Sequence, residues 1–292
     1  MSKNFEINNN IQPWLIVACL MAALSYWVLP GNGQIPPSFN PLRFIPREVL
    51  NEETADGSGK GKPGDTEPSG GTRPGNLEGS LCPEEVEKPL KALVPSRIMM
   101  EQTESGDRRV EYVEEYTVSD SPTFWFSVPY RAPLQAEFAL VNENAEELYS
   151  TTITLPENPG IIGIGIPAVA TDKLLELGKY YRWQLTIVCY PDRPSLNNLF
   201  VQGWVQQVTP SQQISQWQGI NRQEIPYETL RQAVAGYATE GIWYDALTLL
   251  GDRRLQNPSN SEIAGDWQSL LNSVNLGDFA DEAIVERYVI EP

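Results

Sequence analysis

YRWQLTIVC, residues 181–189, alternates without a break. Tyr181, Trp183, Leu185, Ile187 and Cys189 fall on one side, and Arg182, Gln184, Thr186 and Val188 on the other. A period of two with large apolar residues on one face is the pattern of a half-buried strand. The same signal recurs on either side. TFWFSV, residues 123–128, is dense in aromatic and branched residues and lies between Pro122 and Pro129. Ala136 to Val141 alternates with Phe138 and Leu140 on one face. Ile162, Ile164 and Ile166 alternate with Gly163 and Gly165, and Phe200 to Val208 gives another strand. Short strands separated by turn signals predict an antiparallel β-sandwich over residues 81–212.

After residue 212 the period changes. Leu230, Val234 and Tyr237 share one helical face, Gly241 breaks the run, and Ile242 to Leu255 resumes it with Ala246, Leu247 and Leu250. A third helix carries Trp267, Leu270, Leu271 and Val274. The spacing from Tyr237 through Gly241, Ala246 and Leu250 to Pro258 resembles one tetratricopeptide-type hairpin, with Val234 where the repeat has Gly. One hairpin makes no repeat array, so residues 222–278 are expected to pack on the sandwich; a peptide-docking surface is the alternative. Residues 279–292 read as a tail. Within the sandwich, LELGKYYRW, residues 175–183, resembles the Leu-x-x-Gly-x-x-Tyr-x-aromatic run of fibronectin type III and other immunoglobulin-like domains. By that resemblance Tyr181 is a structural tyrosine corner whose hydroxyl bonds back to the turn.

Upstream, WLIVACLMAALSYWVL, residues 14–29, carries no charge and is bounded by Pro13 and Pro30. It falls between a signal-peptide apolar region and a spanning helix of about 20 residues. Cleavage after Ser25, or retention as an anchor with Trp14, Tyr26 and Trp27 at the interfaces, are both expected outcomes; a lipoprotein box at Cys19 fits poorly. Residues 31–80 read as a Gly/Pro/Ser linker, most plainly NEETADGSGKGKPGDTEPSGGTRPGNLEGS over 51–80. Its GSGKGK lacks phosphate-loop spacing. In an exported chain Cys82 and Cys189 favour a disulfide; two unpaired, partly buried thiols are the alternative.

Composition excludes much. With 21 Lys+Arg against 38 Asp+Glu the formal charge is -17, which repels nucleic acid and anionic membranes. Contact with a membrane is therefore expected only through residues 14–29. The chain has no histidine, so Ser-His-Asp and Cys-His catalysis and His-based zinc sites are absent; three cysteines make no four-thiolate site. No cofactor or metal is expected. An enzyme would fall back on paired carboxylates, with Glu114, Glu115, Glu143, Glu146, Glu147, Asp192 and Asp245 as the pool. Glu114 and Glu115 are adjacent on a strand and point to opposite faces. The 143–147 acids read as a solvated hairpin loop, and Asp245 sits at a helix start where the dipole favours it.

Several runs together resemble a family of exported proteins of photosynthetic bacteria, domain of unknown function nine-two-eight. They include LKALVP (90–95), SPTFWFSVP (121–129), FVQGW (200–204) and GIWYDAL (241–247), within a span from 71 to about 276. Tyr190 stands where that family tends to have Asp, which removes a loop carboxylate. The resemblance implies an exported envelope protein and no assigned activity.

Aromatics are the remaining lead. Trp125, Trp204, Trp243 and Tyr244 cannot all lie inward if strand and helix periods hold, so they are candidate binding residues; core packing is the alternative. The expectation is a non-enzymatic exported protein, periplasmic, membrane-anchored or secreted, that binds a protein or glycan partner in the envelope. A carbohydrate-binding module, or a carboxylate-dependent glycosidase, is the other reading.

Overall fold

The computed structural model describes residues 40–47, 80–83, 85–103, 106–167, 174–192, 198–218 and 224–289. The 14–29 segment and the 51–79 spacer lie outside the described residues. From Pro41 onward the described residues belong to one compact unit.

The protein is mainly β with a few helices. Among the described residues one sheet has four strands in the order β1 (Lys91–Ala92), β4 (Thr123–Val128), β7 (Gly160–Gly165), β10 (Ile284–Val289). The other has six, in the order β2 (Ser96–Thr103), β3 (Gly106–Thr117), β9 (Leu199–Gln207), β8 (Tyr180–Ile187), β5 (Gln135–Val141), β6 (Glu147–Thr154). The strands read from alternation are all present. The purely antiparallel sandwich is corrected: β3 runs parallel to β9, and β7 parallel to β10. Parallel neighbours need long connections. Here β10 arrives only after the helices, and β9 joins a strand far earlier in the chain. The expected tail is corrected by the same strand, because Ile284 to Val289 extend the four-stranded sheet beside β7.

The two sheets meet through aromatic rings. Phe124 and Phe126 point from β4 into the six-stranded sheet, 5.2 Å from Phe138 and 5.6 Å from Trp183 respectively, centre to centre. The intervening Trp125 points the other way and donates its indole N–H to Thr248 at 3.2 Å. It lies between two glycines: a Cβ at Gly163 would approach the indole to 3.0 Å and one at Gly251 to 2.9 Å. The Ile/Gly alternation of β7 therefore makes room for one large ring.

Among the described residues four α-helices follow: α1 (Gln212–Ser215), α2 (Tyr227–Thr239), α3 (Trp243–Gln256) and α4 (Ser261–Asn272). Two of the helix ends are capped by their own sequence. Asn260 accepts from the Glu262 and Ile263 amides at 2.9 and 3.1 Å to start α4. Arg253 and Arg254 sit in the last turn of α3, where cations suit the helix dipole. The hairpin of α2 and α3 packs on the strands, with α3 against β3, β4 and β10.

The linker expected over 31–80 is interrupted. Residues 41–47 are packed, with Leu42 and Phe44 buried. Phe44 meets Trp243 edge-on at 5.0 Å, and its amide donates to the Ser273 hydroxyl at 3.0 Å. The Ile45 amide donates to the Ala238 carbonyl at 2.9 Å. Gly241, at the hairpin turn with φ +68°, is approached so closely that a Cβ would lie 2.7 Å from the Arg47 nitrogen. Two apolar side chains in a short run were enough to dock this strap, though too few to set a period.

Cys82 and Cys189 are disulfide-bonded. The bridge ties the segment after residue 80 to the end of β8, where the Leu81 amide also donates to the Cys189 carbonyl at 2.8 Å. Such a bond points to an oxidising, non-cytoplasmic environment. No helix among the described residues is long and apolar enough to cross a membrane.

Candidate functional site

Three of the four aromatics singled out from the sequence are interior. Trp125, Trp243 and Tyr244 are each no more than 2% exposed, which corrects the expectation that they face a ligand. The reason is the setting of α3. Its residues from Trp243 to Gly251 are buried on every side, as in a helix inserted in a core rather than laid on a surface. Trp243 donates to the Leu93 carbonyl at 2.8 Å. The Tyr244 hydroxyl accepts from the Trp183 indole at 2.8 Å and donates to the Trp204 carbonyl at 3.1 Å. Asp245 accepts from the Thr117 hydroxyl at 2.8 Å and the Val118 amide at 3.0 Å. It is therefore a buried anchor for the end of β3; it stands in the first turn of α3, where the dipole reading put it, but it is not solvated. GIWYDAL is the joint between helices and sandwich.

Trp204 has the opposite fate. Along β9 the residues Val201, Gly203, Val205 and Gln207 turn inward, and Gln202, Trp204 and Gln206 turn outward, half-buried. On β8 the outward set is Tyr180, Arg182, Gln184 and Thr186. Register brings these together. Trp204 stands directly opposite Arg182 on one side and Glu114 on the other. The next row aligns Tyr116, Gln206 and Tyr180; on the other side Gln202 faces Gln184. Opposed side chains on adjacent strands have Cβ atoms about 5 Å apart, so these groups form one surface. Arg47, from the strap, lies over the Tyr116 ring at 5.5 Å and borders it.

The surface is held from within. Glu114 is only 3% exposed although it points outward, and the Tyr180 hydroxyl hydrogen-bonds its carboxylate. Burial and the Glu114 charge raise the Tyr180 hydroxyl; burial with Tyr180, Glu114 and Glu115 nearby pushes Tyr116 up to about 12. Glu115 faces the interior at 4% exposure. Burial pushes its carboxyl up to about 8, against the pull of Arg97 and with a further rise from Glu114. The two adjacent acids do point to opposite faces, but neither is solvated. Gln206 donates to the Gly178 carbonyl at 3.0 Å, and Gln184 to Thr186 at 2.9 Å, which fixes both amides.

Elsewhere the acids singled out from the sequence serve their own turns. Glu143 accepts from the Tyr180 amide at 3.2 Å, Glu146 from the Asn142 side chain at 2.7 Å and Glu147 from Ser150 at 2.6 Å, all around the β5–β6 turn. Asp192 is exposed. Among the described residues no three His, Cys, Asp or Glu side chains are placed to hold a metal. The Tyr181 hydroxyl accepts from the Glu176 amide at 2.8 Å, a bond back to the preceding turn.

A cleft of about 750 Å³ has no counterpart in the sequence pattern. It opens beside the disulfide, between the segment after residue 80 and the loop that follows β4. Val86, Val128, Tyr130 and Leu134 give it an apolar wall. Its central charges are satisfied internally: Lys88 pairs with Glu282 at 3.0 Å and donates to the Asp278 carbonyl at 2.6 Å, and Ser127 donates to Glu282 at 2.7 Å. Only its turn-forming prolines hint at it, and prolines mark turns everywhere in this chain.

Residues 68–284 match the family described as Domain of Unknown Function (DUF928). No curated protein matches the chain.

Proposed function

The chain belongs to the DUF928 family, and from that premise we propose that it is an exported, envelope-associated binding module without catalytic activity. The observation that carries this reading is the outer face of the six-stranded sheet, where Trp204, Tyr180, Arg182, Gln202 and Gln206 share one surface. Binding sites combine aromatic anchors with a few oriented polar groups. The disulfide supports export. The absence of histidine, and the commitment of Glu114 and Asp245 to structural hydrogen bonds, support a non-enzymatic role. The Tyr181 bond supports an immunoglobulin- or fibronectin-like sandwich, and the α2–α3 hairpin a tetratricopeptide-like one. In this reading residues 14–29 are a signal peptide or anchor, and the strap at 41–47 fixes where the chain leaves the domain.

Retention of the purified full chain on washed envelope material, in mild detergent so that residues 14–29 do not themselves anchor it, tests the proposal. Wild type is expected to be retained, and W204A and R182A to be released while keeping the wild-type unfolding midpoint. Equal retention of all three would remove the sheet face as the binding surface.

A further inference from the structure

We infer that this sheet face takes a neutral polysaccharide: Trp204 stacks on a sugar ring while Arg182, Gln202 and Gln184 hydrogen-bond its hydroxyls. The inference rests on the reading above that the face is the binding surface, and names its ligand class.

Three observations select a glycan. First, the aromatic side chains are separated by planar polar ones. Trp204 has Arg182 and Glu114 as direct neighbours, and the row holding Tyr180 and Tyr116 is interrupted by Gln206. A protein hot spot needs a contiguous, dry apolar centre. Sugars present apolar ring faces edged by hydroxyls, and a ring flanked by amides and a guanidinium complements both.

Second, the face presents cations in a chain of formal charge -17. Arg97 and Arg182 share the face with Glu114. A polyanion would meet the acidic field of the whole molecule, and a polycation would meet the two guanidinium groups at the face. A neutral, hydroxyl-rich ligand meets no such penalty.

Third, the groups are pre-set. The Tyr180–Glu114 hydrogen bond and the anchored Gln184 and Gln206 amides hold the side chains in place before any ligand arrives. Fixed polar groups lower the ordering cost of binding. The platform runs across adjacent strands rather than into a closed hole, which suits an extended chain.

Affinity electrophoresis of the full chain in mild detergent is the test. Gels contain a neutral polysaccharide (xyloglucan, galactomannan, mixed-linkage β-glucan or dextran) or the anionic polygalacturonate, with isothermal titration for any hit. At least one neutral polymer is expected to retard the wild type, and polygalacturonate not to. W204A should weaken binding at least tenfold and Q202A or R182A several-fold, with E286Q, outside the face, unchanged. If W204A does not fold, the R182A and Q202A results decide. Retardation by none of the neutral polymers would overturn the glycan assignment. If envelope retention then still depends on Arg182 and Gln202, the binding face stands with a protein ligand; if that dependence is also missing, both readings fall.

Discussion

Trp243 and Trp204 are the same residue type, singled out by the same sequence pattern, and the fold treats them oppositely. Trp243 is sealed between Phe44 and the β1 turn, with its indole N–H on the Leu93 carbonyl. Trp204 sits half-exposed among polar side chains and contributes only its carbonyl to the interior. The difference lies in what surrounds each segment. A strand in an outer sheet has one solvent face, so alternation decides exposure. Helix α3 has sheets, strap and neighbouring helices around it, so no period can keep a side chain out. Aromatic richness alone does not distinguish anchor from core; register and layering do.

Truncation inside the joint challenges this contrast most severely. W243A or W125A should cost about 3–5 kcal/mol in urea unfolding, the usual range for deleting a fully buried large aromatic. A loss below about 1 kcal/mol would mean α3 is not built into the core. The disulfide comes next. Replacing Cys82 and Cys189 by serine should cost about 2–5 kcal/mol, because the bridge closes a long loop; its sequence separation is 107. D245A should cost about 2–3 kcal/mol by leaving the Thr117 hydroxyl and Val118 amide buried without their acceptor.

A pH series separates the two β3 acids from the aromatic joint. Glu115 keeps its proton in the folded state up to about 8, whereas the unfolded chain loses it near the ordinary value of about 4.5. Between these limits the folded state binds more protons, so this group erodes stability as pH rises through that window. E115Q should remove that slope and stabilise the fold at pH 8 by about 1–3 kcal/mol. An unchanged slope in the variant would show that Glu115 ionises inside the fold without cost. The smallest expected effect on stability is that of W204A, within about 0.5 kcal/mol, against a large effect on binding.

Much of this architecture was legible in the sequence. Strands β4 and β8 announced themselves through aromatic content and strict alternation, helices α2 and α3 through apolar periodicity broken at Gly241, and α4 through Trp267, Leu270 and Leu271. Strands β2 and β10 did not, and of β3 only the stretch around Glu114 and Glu115 was read as strand. GDRRVEYVEEYT and IVERYV are charged along their length, and β3 buries Glu114 and Glu115 where the charge pattern implies solvent. The strap was hidden because Leu42 and Phe44 bury themselves singly, between prolines. Of the candidate site only Trp204 was legible as a binding residue; Arg182 and Gln184 were legible as the polar face of one strand and Glu114 as an acid, but not as its neighbours. Arg182 and Gln184 come from β8, Glu114 and Tyr116 from β3, and only strand register places them beside it.

Hydroxyl-radical footprinting of the full chain, free and bound to envelope material, puts the contrast between the two tryptophans to its most direct test. Trp204 and Tyr180 are expected to be oxidised in the free protein and protected in the bound one, while Trp125 and Trp243 stay unreactive in both. Protection confined to Tyr130 and Leu134 at the cleft, or strong oxidation of Trp243 in the folded protein, would contradict it.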